Sequence, residues 1–233
     1  MTSALDVRAF TVGPVQENSY IVRASSDAQR ALLIDPGDEP ERLQRAIDAL
    51  GVQIEAILIT HCHFDHIGAV APLARATGAP VYCPQIERPV LADVMSWVPP
   101  GFGPFESYQA EHTLSGGERL SLAGLDIEVI FTPGHSPGHL TYALQSPTHP
   151  ALLSGDVLFQ GSVGRVDLPG GDWATLERSI EALLKAYPPE TVVYPGHMGV
   201  TTLGRERDVN PFLAEIRARL PRVGAAPSPA PAS

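Results

Sequence analysis

This 233-residue sequence predicts an α/β fold in which two β-sheets pack together with helices outside them. Three observations carry that expectation. Short runs rich in Val, Ile, Leu and Tyr recur in both halves of the chain. Each group of such runs is followed by a segment with helical apolar spacing, and no shift in composition separates the halves. One domain is therefore expected over residues 1–223. The last stretch, 224–233, holds only Gly, Ala, Pro and Ser, a composition without the apolar surface that folding needs, and is expected to be a disordered tail.

Along the chain, Val7–Val12, Ser19–Ala24 and Ala31–Asp35 read as strands, the last closed by Asp35-Pro36-Gly37. Leu43, Ile47 and Leu50 recur at helical spacing from Pro40 to Leu50, and Gly51 stops that helix. A strand Ala56–Thr60 precedes a helix from about Asp65 to Ala76, with Gly78 as its stop, and Val81–Cys83 is a short strand. Between Gln85 and Glu111, Pro99, Pro100, Gly101, Gly103 and Pro104 break any regular element. Trp97, Phe102, Phe105 and Tyr108 in that stretch suit either a flap or a loop anchored to the body. Arg119–Leu122 and Ile127–Phe131 form a hairpin turning at Ala123-Gly124. Leu140–Leu144 and Ala151–Ser154 are strands, Trp173 to Tyr187 a helix and Thr191–Tyr194 a strand, and helical segments close the chain between Thr202 and Leu220.

The net charge of -10, without a Lys/Arg cluster, argues against nonspecific nucleic-acid binding, which needs a stripe of phosphate-neutralising residues. No apolar run is long enough to span a bilayer, and the N-terminus lacks the basic-then-apolar pattern of a signal peptide. Cys62 and Cys83 are too few for a disulfide framework, so a reducing cytoplasm is the expected location.

The chemistry is concentrated in Thr60-His61-Cys62-His63-Phe64-Asp65-His66, directly after the apolar run Ala56–Ile59. Imidazole and carboxylate are the usual ligands of catalytic zinc and non-haem iron. In extended backbone, residues two apart point the same way, so His61 and His63 face one ion while Cys62 turns away. Asp65 and His66, where the chain bends towards a helix, are placed to face a second. Three further strand ends repeat the pattern of apolar run, small or rigid turn residue, then His or Asp: Thr132-Pro133-Gly134-His135, Ser154-Gly155-Asp156 and Pro195-Gly196-His197. If those strand ends share one edge of the sheets, the ligands converge on one pocket.

In this order, these motifs resemble the metal-binding motifs of the metallo-β-lactamase superfamily, from about Thr11 to Leu220. The resemblance implies an αββα sandwich with a dinuclear site at one edge of the paired sheets. It implies His61, His63 and His135 around the first ion, Asp65, His66 and His197 around the second, and Asp156 bridging them. A finer likeness is to short, single-domain bacterial glyoxalase II-like hydrolases, carried by Asp156-Val157-Leu158-Phe159, Gly164-Arg165-Val166-Asp167, Thr202 to Arg207 and Asn210-Pro211-Phe212-Leu213. The best-known β-lactamases place a cysteine where Asp156 stands, which argues against antibiotic hydrolysis. This chain also has no room for the C-terminal helical domain that grips glutathione in full-length glyoxalase II. Met198-Gly199-Val200 stands where that enzyme has a tyrosine.

The reaction implied is hydrolysis of a small-molecule thioester such as S-lactoylglutathione, with Asp65 and Asp156 as candidate catalytic residues. Two divalent ions would be the cofactors, zinc favoured and iron or manganese admitted, and a metal-bound hydroxide would be the nucleophile. Arg165 would receive a substrate carboxylate, a salt bridge to Asp167 being the rival reading. His139 either orients a ligand or plays a hydrogen-bonded structural part. Two other functions fit the same motifs: a mononuclear-iron persulfide dioxygenase using His61, His135 and Asp156, and a noncatalytic metal-binding domain. Oligomeric state is not legible in the sequence.

Overall fold

The computed structural model describes residues 5–144 and 150–220; the expected tail at 224–233 and His149 lie outside them. Alternation along the first strands decides the layering. The first half contains β1 (Asp6–Val12), β2 (Glu17–Arg23), β3 (Arg30–Ile34), α1 (Pro40–Leu50), β4 (Gln53–Leu58), α2 (Phe64–Ile67), α3 (Val70–Thr77), β5 (Val81–Pro84), α4 (Arg88–Ala92) and β6 (His112–Leu114). Its strands form a six-stranded sheet in the order β1-β2-β3-β4-β5-β6, antiparallel up to β3 and parallel from there. Successive side chains on a strand point to opposite faces. Ala31 and Leu33 of β3 accordingly pack outward with Leu43 and Ile47 of α1 and Leu73 of α3, while Leu32 and Ile34 pack inward.

The second half contains β7 (Arg119–Leu122), β8 (Leu125–Phe131), β9 (Leu140–Leu144), β10 (Ala151–Gly155), β11 (Leu158–Phe159), β12 (Ser162–Val163), α5 (Trp173–Ala186), β13 (Val192–Pro195), β14 (Thr201–Thr202), α6 (Leu203–Val209) and α7 (Ala214–Arg219). Its six-stranded sheet runs β14-β13-β10-β9-β8-β7, and β11 and β12 pair separately. Leu153 of β10 and Tyr142 of β9 face the first sheet. Leu152 and Ala143 face away, onto Leu176, Ile180 and Leu183 of α5. Three apolar layers thus separate helix, sheet, sheet and helix, the αββα sandwich. With each buried Leu or Ile contributing about 1.5–3 kcal/mol, the inter-sheet layer is a principal stabilising element.

Several elements differ from the sequence reading. The helix expected from about Asp65 to Ala76 is two helices, because the Ala69 N–H bonds the Pro36 carbonyl (2.9 Å) in place of its own helix. The Asp35-Pro36-Gly37 turn packs so tightly there that a Cβ on Gly37 would lie 1.7 Å from the Asp65 carbonyl oxygen. Strand β4 begins and ends earlier than read. At its end the Thr60 N–H is taken by the Asp35 side chain (2.7 Å), drawing the chain out of the ladder. His112 opens edge strand β6 and pairs with Tyr82. The short strands β11, β12 and β14 carry too few residues for a period to be read. Between Gln85 and Glu111 the chain anchors itself: the Phe102 and Phe105 rings lie 4.6 and 6.2 Å from Phe64, and Tyr108 packs on the first core layer. Trp97 there is exposed. The hairpin at Ala123-Gly124 is as expected, with φ of 52° and 74° at the two turn residues, the signs a type I′ turn requires.

Candidate metal centre

The segment after β4 is shaped by carboxylates that sequence reading left out. Asp35, at the end of β3, accepts from the Thr60 N–H (2.7 Å) and the Thr60 hydroxyl (2.6 Å), and that hydroxyl lies 3.0 Å from His61 Nδ1. Glu87 accepts from the Cys62 N–H at 2.5 Å and the Gly138 N–H at 2.8 Å. So held, His61 and His63 project together, with His61 Nε2 3.1 Å from His63 Nδ1. The Cys62 side chain is buried elsewhere, its Sγ 3.5 Å from Cys83 Sγ. His135, on the turn after β8, brings its Nε2 to 3.2 Å from His61 Nε2 and 2.8 Å from His63 Nδ1. Its Nδ1 lies 2.7 Å from the Arg165 carbonyl. A carbonyl only accepts, so the proton sits on Nδ1 and the Nε2 lone pair faces inward.

Asp65 and His66 enter from α2, and His197 from the turn after β13. His197 Nε2 lies 3.3 Å from Asp65 Oδ2, and His66 Nε2 lies 3.9 Å from it. Asp156 stands between the two groups. Its Oδ1 is 3.4 Å from His66 Nε2, and its Oδ2 is 3.4 Å from His135 Nε2 and 3.5 Å from His197 Nε2. All seven residues expected as ligands therefore meet in one place. Ligand atoms of His61, His63 and His135 gather within 4.8 Å of one another, as do those of Asp65, His66 and His197. A third such group, Asp35, His61 and His66, overlaps both. There Asp35 already serves Thr60 and lies 3.1 Å from His66 Nδ1, so it orients His66 rather than adding a separate site.

Charge and burial fit a cation. His66 Nε2 and Asp156 Oδ1 are buried without a hydrogen-bond partner, a costly arrangement unless something positive is shared between the groups around them. Burial, then the neighbouring His66, holds the His61 imidazole well below its ordinary range. Burial and His135 bring His63 down to about 4. Both therefore present lone pairs at neutral pH. Burial acts against charge on Asp156, but His66, His135 and His197 outweigh it and keep the carboxyl far below its usual range. His66 goes up despite burial because Asp156 and Asp65 face it. Positive charge is favoured at this point.

His139 and Arg165 resolve differently. The His139 ring stacks on His61 (centroids 4.9 Å apart), its Nε2 accepts from the Asp156 N–H (3.0 Å), and its Nδ1 bonds the Thr132 hydroxyl (3.0 Å). It holds the backbone of Asp156. The Arg165 guanidinium is exposed and paired at 2.7 Å with each Asp167 oxygen, so a substrate carboxylate would have to displace that partner. An apolar groove of about 430 Å³, lined by Val163, Val166, Trp173 and Phe212, adjoins Arg165. Of the residues the sequence reading missed, Asp35 had a signal in Asp-Pro-Gly, read only as a turn. Glu17, fully buried with Oε1 3.8 Å from His66 Nδ1, and Glu87 had none.

Comparison with known proteins points the same way. The family model described as "Metallo-beta-lactamase superfamily" matches residues 12–197. The chain is 40% identical to the probable metallo-hydrolase YqgX of Bacillus subtilis (strain 168), over 88% of this chain and 96% of the relative. It is 32% identical to the hydroxyacylglutathione hydrolase GloC of Haemophilus influenzae, over 90% and 98%. Among solved structures, the BLEG-1 B3 metallo-beta-lactamase superposes with a TM-score of 0.83 at 38% identity, covering 90% of this chain and 100% of that one. TTHA1623 in a di-iron-bound form gives 0.70 at 43% identity, covering 88% and 100%.

Proposed function

Since the chain belongs to the metallo-β-lactamase superfamily, we propose that it is a metal-dependent hydrolase of small acyl thioesters, of the hydroxyacylglutathione hydrolase type. In this reading His61, His63 and His135 hold one divalent ion, Asp65, His66 and His197 a second, and Asp156 joins them. The observation that carries it is the convergence of seven ligand-type side chains around buried His66 Nε2 and Asp156 Oδ1, which face each other at 3.4 Å and make no hydrogen bond. Divalent ions bound there supply Lewis acidity, which polarises a carbonyl and lowers the pKa of bound water from about 15.7 to near 7. The protein's own part is orientation. The Arg165 carbonyl sets the His135 tautomer, Asp35 aligns His66, and His139 fixes the Asp156 backbone. The carboxylates of Asp65 and Asp156 would balance the charge of two cations held there and orient a water by accepting a hydrogen bond from it.

Nitrogen- and oxygen-rich ligands without thiolate suit zinc, iron and manganese. We favour zinc, and the di-iron form of a relative supports iron as the alternative. Arg165 is the candidate contact for a substrate carboxylate, exchanging Asp167 for it. Among the described residues no helix is long and apolar enough to cross a membrane. A reducing cytoplasm, the location we propose, agrees with two free cysteines. A second reading, β-lactam hydrolysis, is favoured by the likeness to a B3 enzyme in spite of the argument from Asp156.

One purified, metal-quantified sample decides among these. It should turn over S-lactoylglutathione with a high KM, and other acyl thioesters as well, because Arg165, the candidate contact for a substrate carboxylate, is already paired with Asp167. Fully metallated protein that hydrolyses a cephalosporin and no thioester would move the assignment to the second reading. Oxygen uptake on glutathione persulfide without hydrolysis would move it to the dioxygenase.

A further inference from the structure

The motif from Thr202 to Leu213 has no task in the reading above, yet it contains two of the most enclosed polar side chains in the protein. Glu206 and Asn210 are both 0% exposed. Glu206 Oε2 accepts from the Gly161 N–H (2.7 Å) and from Asn210 Nδ2 (2.9 Å), and Oε1 accepts from the Thr201 hydroxyl. Asn210 Nδ2 also donates to the Ser162 carbonyl (3.0 Å). Gly161 and Ser162 belong to the tip of the β11–β12 hairpin. Its ladder consists of Leu158↔Val163 and Phe159↔Ser162, and so short a two-stranded hairpin is not stable alone. Its conformation depends on what grips it from outside.

This hairpin leaves from Asp156 and returns along the metal centre. The Phe159 ring lies edge-on to His197, centroids 5.8 Å apart. At the return, Gly164 fits against Asp156 with no room for a side chain: a Cβ there would be 1.9 Å from the Asp156 carbonyl oxygen and 3.1 Å from His135 Nδ1. The next carbonyl, that of Arg165, is the acceptor for His135 Nδ1. Three of the seven ligand-type residues thus touch the hairpin or its roots.

We infer that Glu206 and Asn210 are positioning residues of the metal centre. Fixing the hairpin tip fixes the Arg165 carbonyl that turns His135 Nε2 inward, and the backbone from which Asp156 projects. This rests on the ligand assignment proposed above. Losing a hydrogen-bond partner of a metal ligand typically costs about 10–100-fold in affinity, which sets the upper bound for residues that act through such a partner.

The test is titration of metal-free protein with cobalt(II), followed by its visible absorption, together with the rate of metal release to a chelator. Glu206→Ala should weaken cobalt binding by up to ~10-fold, the low end of the range for direct partners of a ligand, and alter the spectrum, with Glu206→Gln in between. Asn210→Ser keeps an oxygen for the Phe212 N–H, which Asn210 now caps at 3.0 Å, and removes the amide donors to Ser162, Glu206 and Phe159. It should show the same loss in a protein that folds even if Glu206→Ala does not. Ile47→Ala, in the outer layer of the first sheet, is the control for general destabilisation and should bind cobalt as the parent does. Parent-like affinity in Asn210→Ser, or an equal loss in an Ile47→Ala protein of matched thermal stability, overturns the inference. No cobalt uptake by the parent protein would instead remove the ligand assignment, and the inference with it.

Discussion

Asp156 stands between both halves of the proposed centre, its two oxygens facing His66 on one side and His135 and His197 on the other. Asp156→Ala should lower metal content and reduce hydrolysis by more than the ~100-fold upper range seen for outer hydrogen-bond partners. Elemental analysis beside a thioester assay checks this, and two retained ions with full activity would remove the bridging role. Cys62 stands between two candidate ligands but turns to Cys83, so Cys62→Ser should leave metal content near normal. Its cost is that of an extra buried hydroxyl, about 1–3 kcal/mol in a denaturant melt. Loss of one metal equivalent in that variant would contradict the geometry. The ligand-type residues were legible because they cluster directly after one apolar run or follow an apolar run and a turn residue, both local patterns. Asp35, Glu87 and the role of His139 were not, because what they hold depends on which strand ends the fold brings together. Arg165 shows the limit of local reading: both roles considered for it were chemically sound, and the structure pairs it with Asp167.

At the scale of elements, strands in the interior of each sheet were readable from β-branched and aliphatic runs, whereas the edges and short pairs were not. The division of α2 from α3 could not be read from helical periodicity, since it is imposed from outside by Pro36 and Gly37. This division aims Asp65 and His66 at the centre. Gly37→Ala would drive a methyl to 1.7 Å from the Asp65 carbonyl and 2.6 Å from Glu17 Oε2. Overpacking of this kind costs about 1–3 kcal/mol or more, and here it displaces the helix that carries two of the three residues of the second ligand group. If both proposed positions are occupied, metal stoichiometry in Gly37→Ala should fall, with the Asp65/His66/His197 position lost first. A variant with unchanged melting temperature and both ions would show that α2 is free to shift.

For the whole molecule, four stacked layers place every ligand-type residue at one edge of the two sheets, and the fold class was legible because both sheets have buried two-sided strands. The centre is built without a compensating hydrogen bond on His66 Nε2 or Asp156 Oδ1. Binding that selects the folded state stabilises it by mass action, about 2.7 kcal/mol at free metal 100 times Kd. Removing metal with a chelator should therefore lower the melting temperature by several degrees, and restoring zinc should recover it. Equal melting of the two forms would mean that the ligands are not engaged. The same arrangement has a topological meaning. His61 and His135 are 74 positions apart in the chain and come from different sheets, yet their ring nitrogens lie 3.2 Å from each other. An ion shared by them would act as a detachable cross-link closing that loop, equivalent in chain-entropy terms to about 4.5 kcal/mol taken from the unfolded state. Cut between the sheets, the two halves would then be expected to reassociate as a pair of fragments that zinc joins and a chelator parts.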